Sequence, residues 1–594
     1  MKAPFTDLRA FLAALRAAGS LVEIEAEVDP HLEMAEIHRR VIACGGPALL
    51  FRRVKGSPYA AVSNLFGTAA RVELAFGRAP REFIASLARL PQTLMPPTPS
   101  RLWQERSVLW QLARTRLKTV RSAAVLQHSL APDLHSLPAT QSWHEDGGRF
   151  LTLPLVHTAH PFTGGSNLGL YRMHIHEAAQ SGMHWQIGKG GGFHHHAAEQ
   201  AGRDLPVNVH LGGPPSLILA AIAPLPENVP ELLLAALGAG GALRMARNPA
   251  GPLPLVADAE MALVGTVPAK VRRAEGPFGD HYGYYSLRHD YPVFQVQRMF
   301  CRRDAIIPFT VVGKPRQEDF FLGDHLQELL RPLFPLAMPA VEDLWSYGET
   351  GYHALSAAVV RERYKREAMT SAFRILGEGQ LSLTKFLLVT DTKLDLRDFR
   401  AVLTHVLERA DFGTDLFVFA NLSMDSLDYC GPKINHGSKG VLLGLGAARR
   451  QLPREFFGEL PPGFRAQVFS PGCLCVSAPP DAQAAAIAQL PVFAAWPLLA
   501  LVDNTAQAAR SSMNFLWTVF TRFDPASDLH SAAQRVHAGH IMRTAPLLID
   551  ARMKPNYPAE LFCDDATAAL VTRRWRDYFP SGQEMGDSAR AHLD

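Results

Sequence analysis

Between about residue 125 and residue 325 the chain is written in short apolar runs separated by glycine- and proline-rich turns, and this rhythm limits its middle third to β structure. Leu151-Thr152-Leu153-Pro154-Leu155-Val156, Val207-Asn208-Val209-His210-Leu211 and Val293-Phe294-Gln295-Val296 have the length and composition of strands. Many short strands joined by tight turns point to a barrel-like β domain.

The flanks read differently. Residues 5–18 carry apolar side chains at helical spacing and stop at Gly19; strand-like Leu21–Ile24, a helix over about 32–43 and strand-like Leu49–Phe51 follow. A proline-rich break, Met95–Pro99, and basic helical material to about residue 122 close this part. The pattern predicts an N-terminal α/β domain over 1–122, a β domain over 123–325 and a C-terminal α/β domain over 326–594. Within the last, the sequence echoes itself. Leu387-Leu388-Val389-Thr390-Asp391, a helical stretch and Leu407–Leu416 return about 110 residues later as Leu499-Ala500-Leu501-Val502-Asp503, a helical stretch and Phe520–Leu529. Each copy reads strand, helix, turn, which predicts a duplicated unit.

A hydrophobic content of 47% and a charged content of 20% describe an ordinary globular protein. The formal charge of +4 is small for 594 residues and is not gathered into blocks, so neither nucleic acid nor a membrane surface is implied as a partner. No apolar run approaches the roughly 20 residues that span a bilayer, and Met1–Phe5 leads straight into an amphipathic helix, so the expected location is cytoplasmic. The six cysteines form no zinc spacing and are expected to be reduced, with Cys473 and Cys475 on a buried strand.

Three segments carry chemistry. In Glu275-Gly276-Pro277-Phe278-Gly279-Asp280 two carboxylates five residues apart flank a shaped turn, and carboxylates held close together separate in pKa, so that one can carry a proton near neutrality. Ser166–Arg172 reads as a turn entering a strand that displays Asn167 and Arg172. Ile187-Gly188-Lys189-Gly190-Gly191-Gly192 follows Met183-His184-Trp185; glycines beside a lysine let backbone N–H groups approach an anion. The adjacent His194, His195 and His196 cannot all face one ion, and a solvated helix start is expected there.

Taken in order along the chain, these segments resemble the UbiD family of decarboxylases, which use prenylated FMN. Asp7–Leu12 with Leu21–Ile24, Asn167–Arg172, Pro224-Leu225-Pro226 before Glu231, the Glu275–His281 turn and Gly437-Ser438-Lys439 carry the resemblance, and Met183–Ile187 is similar to the longer branch of that family. The resemblance implies that the β domain is a split barrel that binds flavin. It implies that Arg172 and Glu275 form an ion pair beside the reactive ring and that Asp280 is the proton donor. Leu170, Tyr171, Arg172, His184, Trp185, Gln186, Lys189 and Gly190 fall on its cofactor-contact positions. Asn167 and Glu231 match its ligands for a divalent ion, usually manganese, bridging to the cofactor phosphate, with potassium as an optional further ion. Gly188 departs from the family, which has histidine before the lysine. Loss of CO₂ from an sp² carbon needs an electron sink that side chains do not provide, so the expected activity is reversible, non-oxidative decarboxylation of an aromatic or α,β-unsaturated acid. A hydroxybenzoate- or naphthoate-type quinone precursor is the expected substrate, a flavin prenyltransferase the cofactor supplier, and a homo-oligomer, dimer or hexamer, the expected assembly. The alternative reading is a non-catalytic flavin-binding homologue or complex subunit.

Overall fold

The computed structural model describes residues 5–185, 190–225, 229–314 and 316–587. Two compact units emerge: one runs to Leu329 and takes up the chain again from Glu560, and the other spans Leu330–Ala559.

The first unit is built on a ten-stranded, wholly antiparallel sheet. Its path runs Phe150–Leu151, Met173–Glu177, Gln180–Gly182, His289–Cys301, Met261–Val267, Leu205–Leu211, Leu155–Ala159 and Ser166–Leu170. The sheet curls into a half-barrel around Val207, Val209, Leu211, Leu263, Phe294 and Met183, all buried. Alternation explains the curl: inward positions are apolar, while Gly265, directly beneath the Gln295 carbonyl, has no room for a side chain and lets two strands close up. The long strand His289–Cys301 joins the half-barrel to Arg272–Glu275, which pairs Glu275 with His289.

An N-terminal four-stranded sheet, Leu21–Val28, Ala48–Val54, Ala60–Ser63 and Ile306–Pro308, packs against the helix Glu33–Ala43. Residues 560–587, which the sequence reading assigns to the C-terminal domain, belong here. The helix Asp565–Tyr578 turns Thr567, Val571, Trp575 and Tyr578 inward, a spacing of three to four, and fills the core beside Ile37 and Val41. Glu33 anchors it, receiving the Tyr578 hydroxyl and the Arg574 guanidinium on one oxygen and the Asp29 N–H on the other at 2.7 Å.

The second unit repeats one five-stranded sheet. The first copy orders Val341–Ser346, Leu355–Val360, Phe386–Thr390, Gly437–Gly444 and Leu416–Leu422; the second orders Arg465–Ser470, Cys473–Ser477, Leu498–Leu501, Leu547–Asp550 and Leu529–Ser531. Both pair antiparallel, parallel, parallel, antiparallel. The duplication read from the sequence is therefore a duplication of topology. All six cysteines are unbridged, with Cys473 and Cys475 buried on one strand. Among the described residues no helix is long and apolar enough to cross a membrane.

The Glu33 anchor generates an expectation. Glu33→Ala removes the shared acceptor of Arg574 and Tyr578 and should lower unfolding free energy by about 1–3 kcal/mol in chemical denaturation, the usual cost of stranding buried donors. An unchanged denaturation midpoint would show that the C-terminal helix is held by apolar packing alone.

Candidate functional site

Arg172 follows the strand Ser166–Leu170, and its guanidinium is almost wholly buried. Its Nε donates to Glu275 Oε1 at 3.0 Å, its Nη1 to Asp280 Oδ2, and its Nη2 to the Ser286 hydroxyl at 3.0 Å. The group lies over the Phe278 ring, 4.4 Å from its centroid, so the aromatic residue of the turn forms a floor for the cation. One arginine thus binds both carboxylates that the sequence singled out.

The turn is fixed from behind. Asp146 Oδ1 accepts the Gly279 N–H at 2.7 Å, while its Oδ2 accepts the Ser142 and Trp143 N–H groups, each at 2.9 Å. Gly279 lies against the Trp143 indole and Gly147 against the Gly276 carbonyl, so neither position has space for a Cβ. Gly276 also has φ +92°, a conformation that favours glycine. Asp146 was not singled out in the sequence: it lies 133 residues before its partner, and only the Gly147-Gly148 pair beside it marks a turn.

The electrostatics follow from this packing. Burial pushes the Glu275 carboxyl up, but His184, whose Nδ1 is 2.8 Å from Oε1, and Arg172 more than reverse that and bring it to about 2. Asp280 behaves alike: burial raises it, while Arg172 and His281, whose Nδ1 is 2.6 Å from Oδ1, carry it well below the usual carboxylate range. Both carboxyls are thus held down, which favours their ionised forms, and Asp280 can act as the expected proton donor only if its pKa is raised. The guanidinium shared by the two acids contributes to both shifts. Burial raises Asp146 to about 6 against the opposing pull of its three N–H donors.

A second group of residues gathers at the start of the helix Gly190–Gln200. Gly190 approaches the Asn167 amide oxygen and Gly191 the Trp185 indole, both too closely for a side chain; the Gly191 N–H donates to the Tyr171 hydroxyl at 3.3 Å. Tyr171 meets Trp185 edge-on at 6.4 Å. Glu231, at the start of Glu231–Gly238, accepts the Leu168 N–H at 3.0 Å, and burial raises its pKa. Leu170 ends the strand between the two groups. Gln186, Gly188 and Lys189 lie outside the described residues. The three histidines point three ways. His194 bonds Thr158 Oγ1 at 2.9 Å, His195 is buried against Trp185, and His196 is exposed, so the expected solvated helix start holds only for the last.

Buried polar atoms here without a hydrogen-bond partner among the described residues include Asn167 Nδ2, Trp185 Nε1, His184 Nε2, His195 Nε2 and Glu275 Oε2. Unpaired groups of this kind cost free energy unless a ligand satisfies them. They lie in both groups of the candidate site and leave donors and an acceptor available to a polar ligand. Asn167 and Glu231 supply two oxygen donors suited to a hard divalent ion. Among the described residues no three His, Cys, Asp or Glu side chains converge as a metal site, so such an ion would need phosphate or water to complete its shell.

The fold and this site match one family. Models of the N-terminal, Rift-related and C-terminal domains of 3-octaprenyl-4-hydroxybenzoate carboxy-lyase match residues 12–90, 117–315 and 320–444. A protein of Chlamydia trachomatis without assigned function is 48% identical over 97% of this chain and all of its own. A Chlamydia pneumoniae protein described as one component of a 4-hydroxybenzoate decarboxylase is 48% identical over 97% of this chain and 98% of its own. Among solved structures, the vanillic acid decarboxylase of Sedimentibacter hydroxybenzoicus has a TM-score of 0.65 at 23% identity, covering 77% of this chain and 96% of its own. The UbiD-class enzyme HmfF of Pelotomaculum thermopropionicum, solved with FMN, has a TM-score of 0.61 at 23% identity, covering 77% and 98%. The chain belongs to the UbiD family. It is a carboxy-lyase.

The depressed Glu275 carboxyl gives a pH signature. A group lowered from 4.5 to about 2 contributes stability that is complete above its unfolded value and is lost as pH falls through its folded value. Between pH 4.5 and 2, Glu275→Gln should therefore show a flatter loss of stability than the parent protein. Parallel acid-denaturation curves would remove the ion pair from the account.

Proposed function

We propose that this protein is a prenylated-FMN-dependent decarboxylase of aromatic carboxylic acids, with hydroxybenzoate- or naphthoate-type quinone precursors as the favoured substrates. The observation that carries the reading is the buried Arg172 guanidinium bridging Glu275 and Asp280. A binding module has no use for two desolvated carboxylates on one cation, and desolvated charge is expensive. The matched Chlamydia pneumoniae protein carries a hydroxybenzoate description, and the Sedimentibacter hydroxybenzoicus enzyme acts on vanillic acid.

Prenylated FMN, when bound, supplies the electron sink for the carbon that loses CO₂. The chain's own residues handle charge and protons. Arg172 presents a planar fork, already directed by Glu275, that can receive a substrate carboxylate. A carboxylate arriving near Arg172 competes for Nη1, weakens the hold on Asp280 Oδ2 and raises the Asp280 pKa, so substrate itself prepares the acid. Asp280 then delivers its proton to the ring carbon. His281, bonded to Oδ1 and a quarter exposed, links this acid to solvent and can restore the proton. Phe278, Tyr171 and Trp185 keep water from the surroundings. Asn167 and Glu231 would hold a divalent ion, manganese by analogy with the family, against the cofactor phosphate, with potassium as a further ion; a flavin prenyltransferase would supply the cofactor.

The decisive experiment is co-expression with a flavin prenyltransferase, followed by the absorption spectrum and mass of the bound cofactor and CO₂ release from a panel of hydroxybenzoic and hydroxynaphthoic acids. Unmodified FMN, or none, with no CO₂ from any acid would overturn the reading. In active enzyme, Asp280→Asn should lower turnover by about 10² to 10⁴, the usual cost of losing a positioned acid. Arg172→Lys should fall comparably, because a point charge cannot hold two carboxylates in one plane. Turnover within a few-fold of the parent for both would refute these roles. Glu231→Gln should release metal and flavin together, as read by metal analysis and flavin absorbance of the purified protein; full flavin occupancy would exclude a bridging ion.

A further inference from the structure

The two repeats of the second unit agree in hydrogen bonds as well as topology. Leu387 pairs with Val441 and Leu416 with Leu442 in the first; Leu499 pairs with Leu548 and Leu529 with Ile549 in the second. Asp398 caps the first helix through the Ala401 N–H, and Ser511 caps its counterpart through the Asn514 N–H. The Asp411 N–H donates to Asp415 Oδ2 at 2.9 Å, as that of Asp524 does to Asp528 Oδ2 at 2.7 Å. Asp391 Oδ2 accepts the Gly446 N–H and Asp503 Oδ2 that of Met553, each at 2.9 Å. With this register Asp411 corresponds to Asp524, and the start of Gly437–Gly444 to the segment just before Leu547.

The contacts between the repeats are reciprocal in the same register. The second repeat's Asp524 turn meets the start of the first repeat's strand: the Ser438 hydroxyl donates to Asp524 Oδ1 at 2.6 Å and accepts the Ala526 N–H at 2.8 Å. The first repeat's Asp411 turn meets the equivalent place in the second, where the Arg543 N–H donates to the Phe412 carbonyl at 3.3 Å. The helix Phe399–Arg409 touches Arg465–Ser470, and its counterpart Ser512–Phe520 touches Gly348–Thr350, which follows the equivalent strand. Between them Phe399, Phe469, Phe515 and Phe520 form one buried aromatic cluster, with Phe469 stacked on Phe515 at 3.8 Å and Phe399 5.9 Å from both Phe515 and Phe520. Patch i on one copy touches patch j on the other, and j touches i. That is the signature of a twofold, isologous interface.

We infer that the second repeat serves as a built-in dimer partner: within one chain it covers the face through which the first repeat would otherwise pair with a second copy of itself. The tether Leu445–Phe464 holds the two faces together at an effective concentration on the order of millimolar. A second chain at ordinary concentrations cannot compete with that. Homo-oligomers of this protein therefore use surfaces other than this seam.

The test uses the full chain. A Ser438→Cys, Asp524→Cys variant, oxidised after purification, should join its introduced thiols within single chains, giving no species of doubled mass on a denaturing gel and the corresponding linked peptide on digestion. A linked dimer, or introduced thiols that stay reactive and unlinked, overturns the inference. A second variant asks whether the covered face is self-complementary. Phe515→Glu alters only the second repeat and should convert part of the protein to a concentration-dependent species of doubled mass; adding Phe399→Glu on the first repeat should abolish that species. If Phe515→Glu opens the seam, read as loss of the thiol link in the combined variant, yet adds no self-association, the inference fails. If Phe515→Glu does not fold, the linkage pattern of the thiol pair decides alone.

Discussion

The site depends on one guanidinium holding two carboxylates out of water. Arg172 helps to keep both Glu275 and Asp280 ionised, alongside His184 and His281, and the two carboxylates offset the burial of its charge. The turn that joins the two acids, the Phe278 floor and the Asp146 clasp all serve to hold this three-body arrangement at fixed distance. Its energetic character is conditional: the charges are balanced around one cation, Glu275 Oε2 is left without a hydrogen bond, and a further anion would disturb the balance. A carboxylic acid substrate is such an anion, which makes the resting ion pair a chemical reservoir as well as a scaffold.

Much of this was legible in the sequence because the information was local. Glu275, Gly276, Pro277, Gly279 and Asp280 are contiguous, so composition alone announced a shaped turn with two acids. Asn167, on the strand Ser166–Leu170, and Arg172, just past its end, lie in one short segment and were readable for the same reason. What escaped were partners contributed from afar. Asp146 and the His184 contact to Glu275 come from other parts of the chain, and no spacing rule links them to the turn. His195 was misjudged because a histidine triplet on a helix is divided by 100° per residue among three environments, one of them the Trp185 face.

The second unit shows the same division between local and distant information. Its duplication was visible because the aspartates of the turn, Asp411 and Asp415, recur as Asp524 and Asp528, where backbone hydrogen bonds fix their identity. The seam was not visible, because its aromatic residues are not duplicated: Phe399 corresponds to Ser512 and Phe515 to Val402. Topology was retained while the packing across the axis diverged. Once two faces reside in one chain, each is free to specialise for the other.

The return of the C-terminal helix to the first unit bears on how the protein is made. Trp143, which backs the Glu275–Asp280 turn, shares its core with Leu561, Val571 and Trp575, residues that leave the ribosome only after the whole second unit has been synthesised. The half of the molecule translated first is therefore completed last. Until the final helix docks on Glu33–Ala43, the wall behind Gly279 lacks part of its packing, so a nascent chain carries its acids and arginine long before it can hold them in register. A chain without the helix Asp565–Tyr578 would lack part of the packing behind Gly279, hundreds of residues earlier in the sequence.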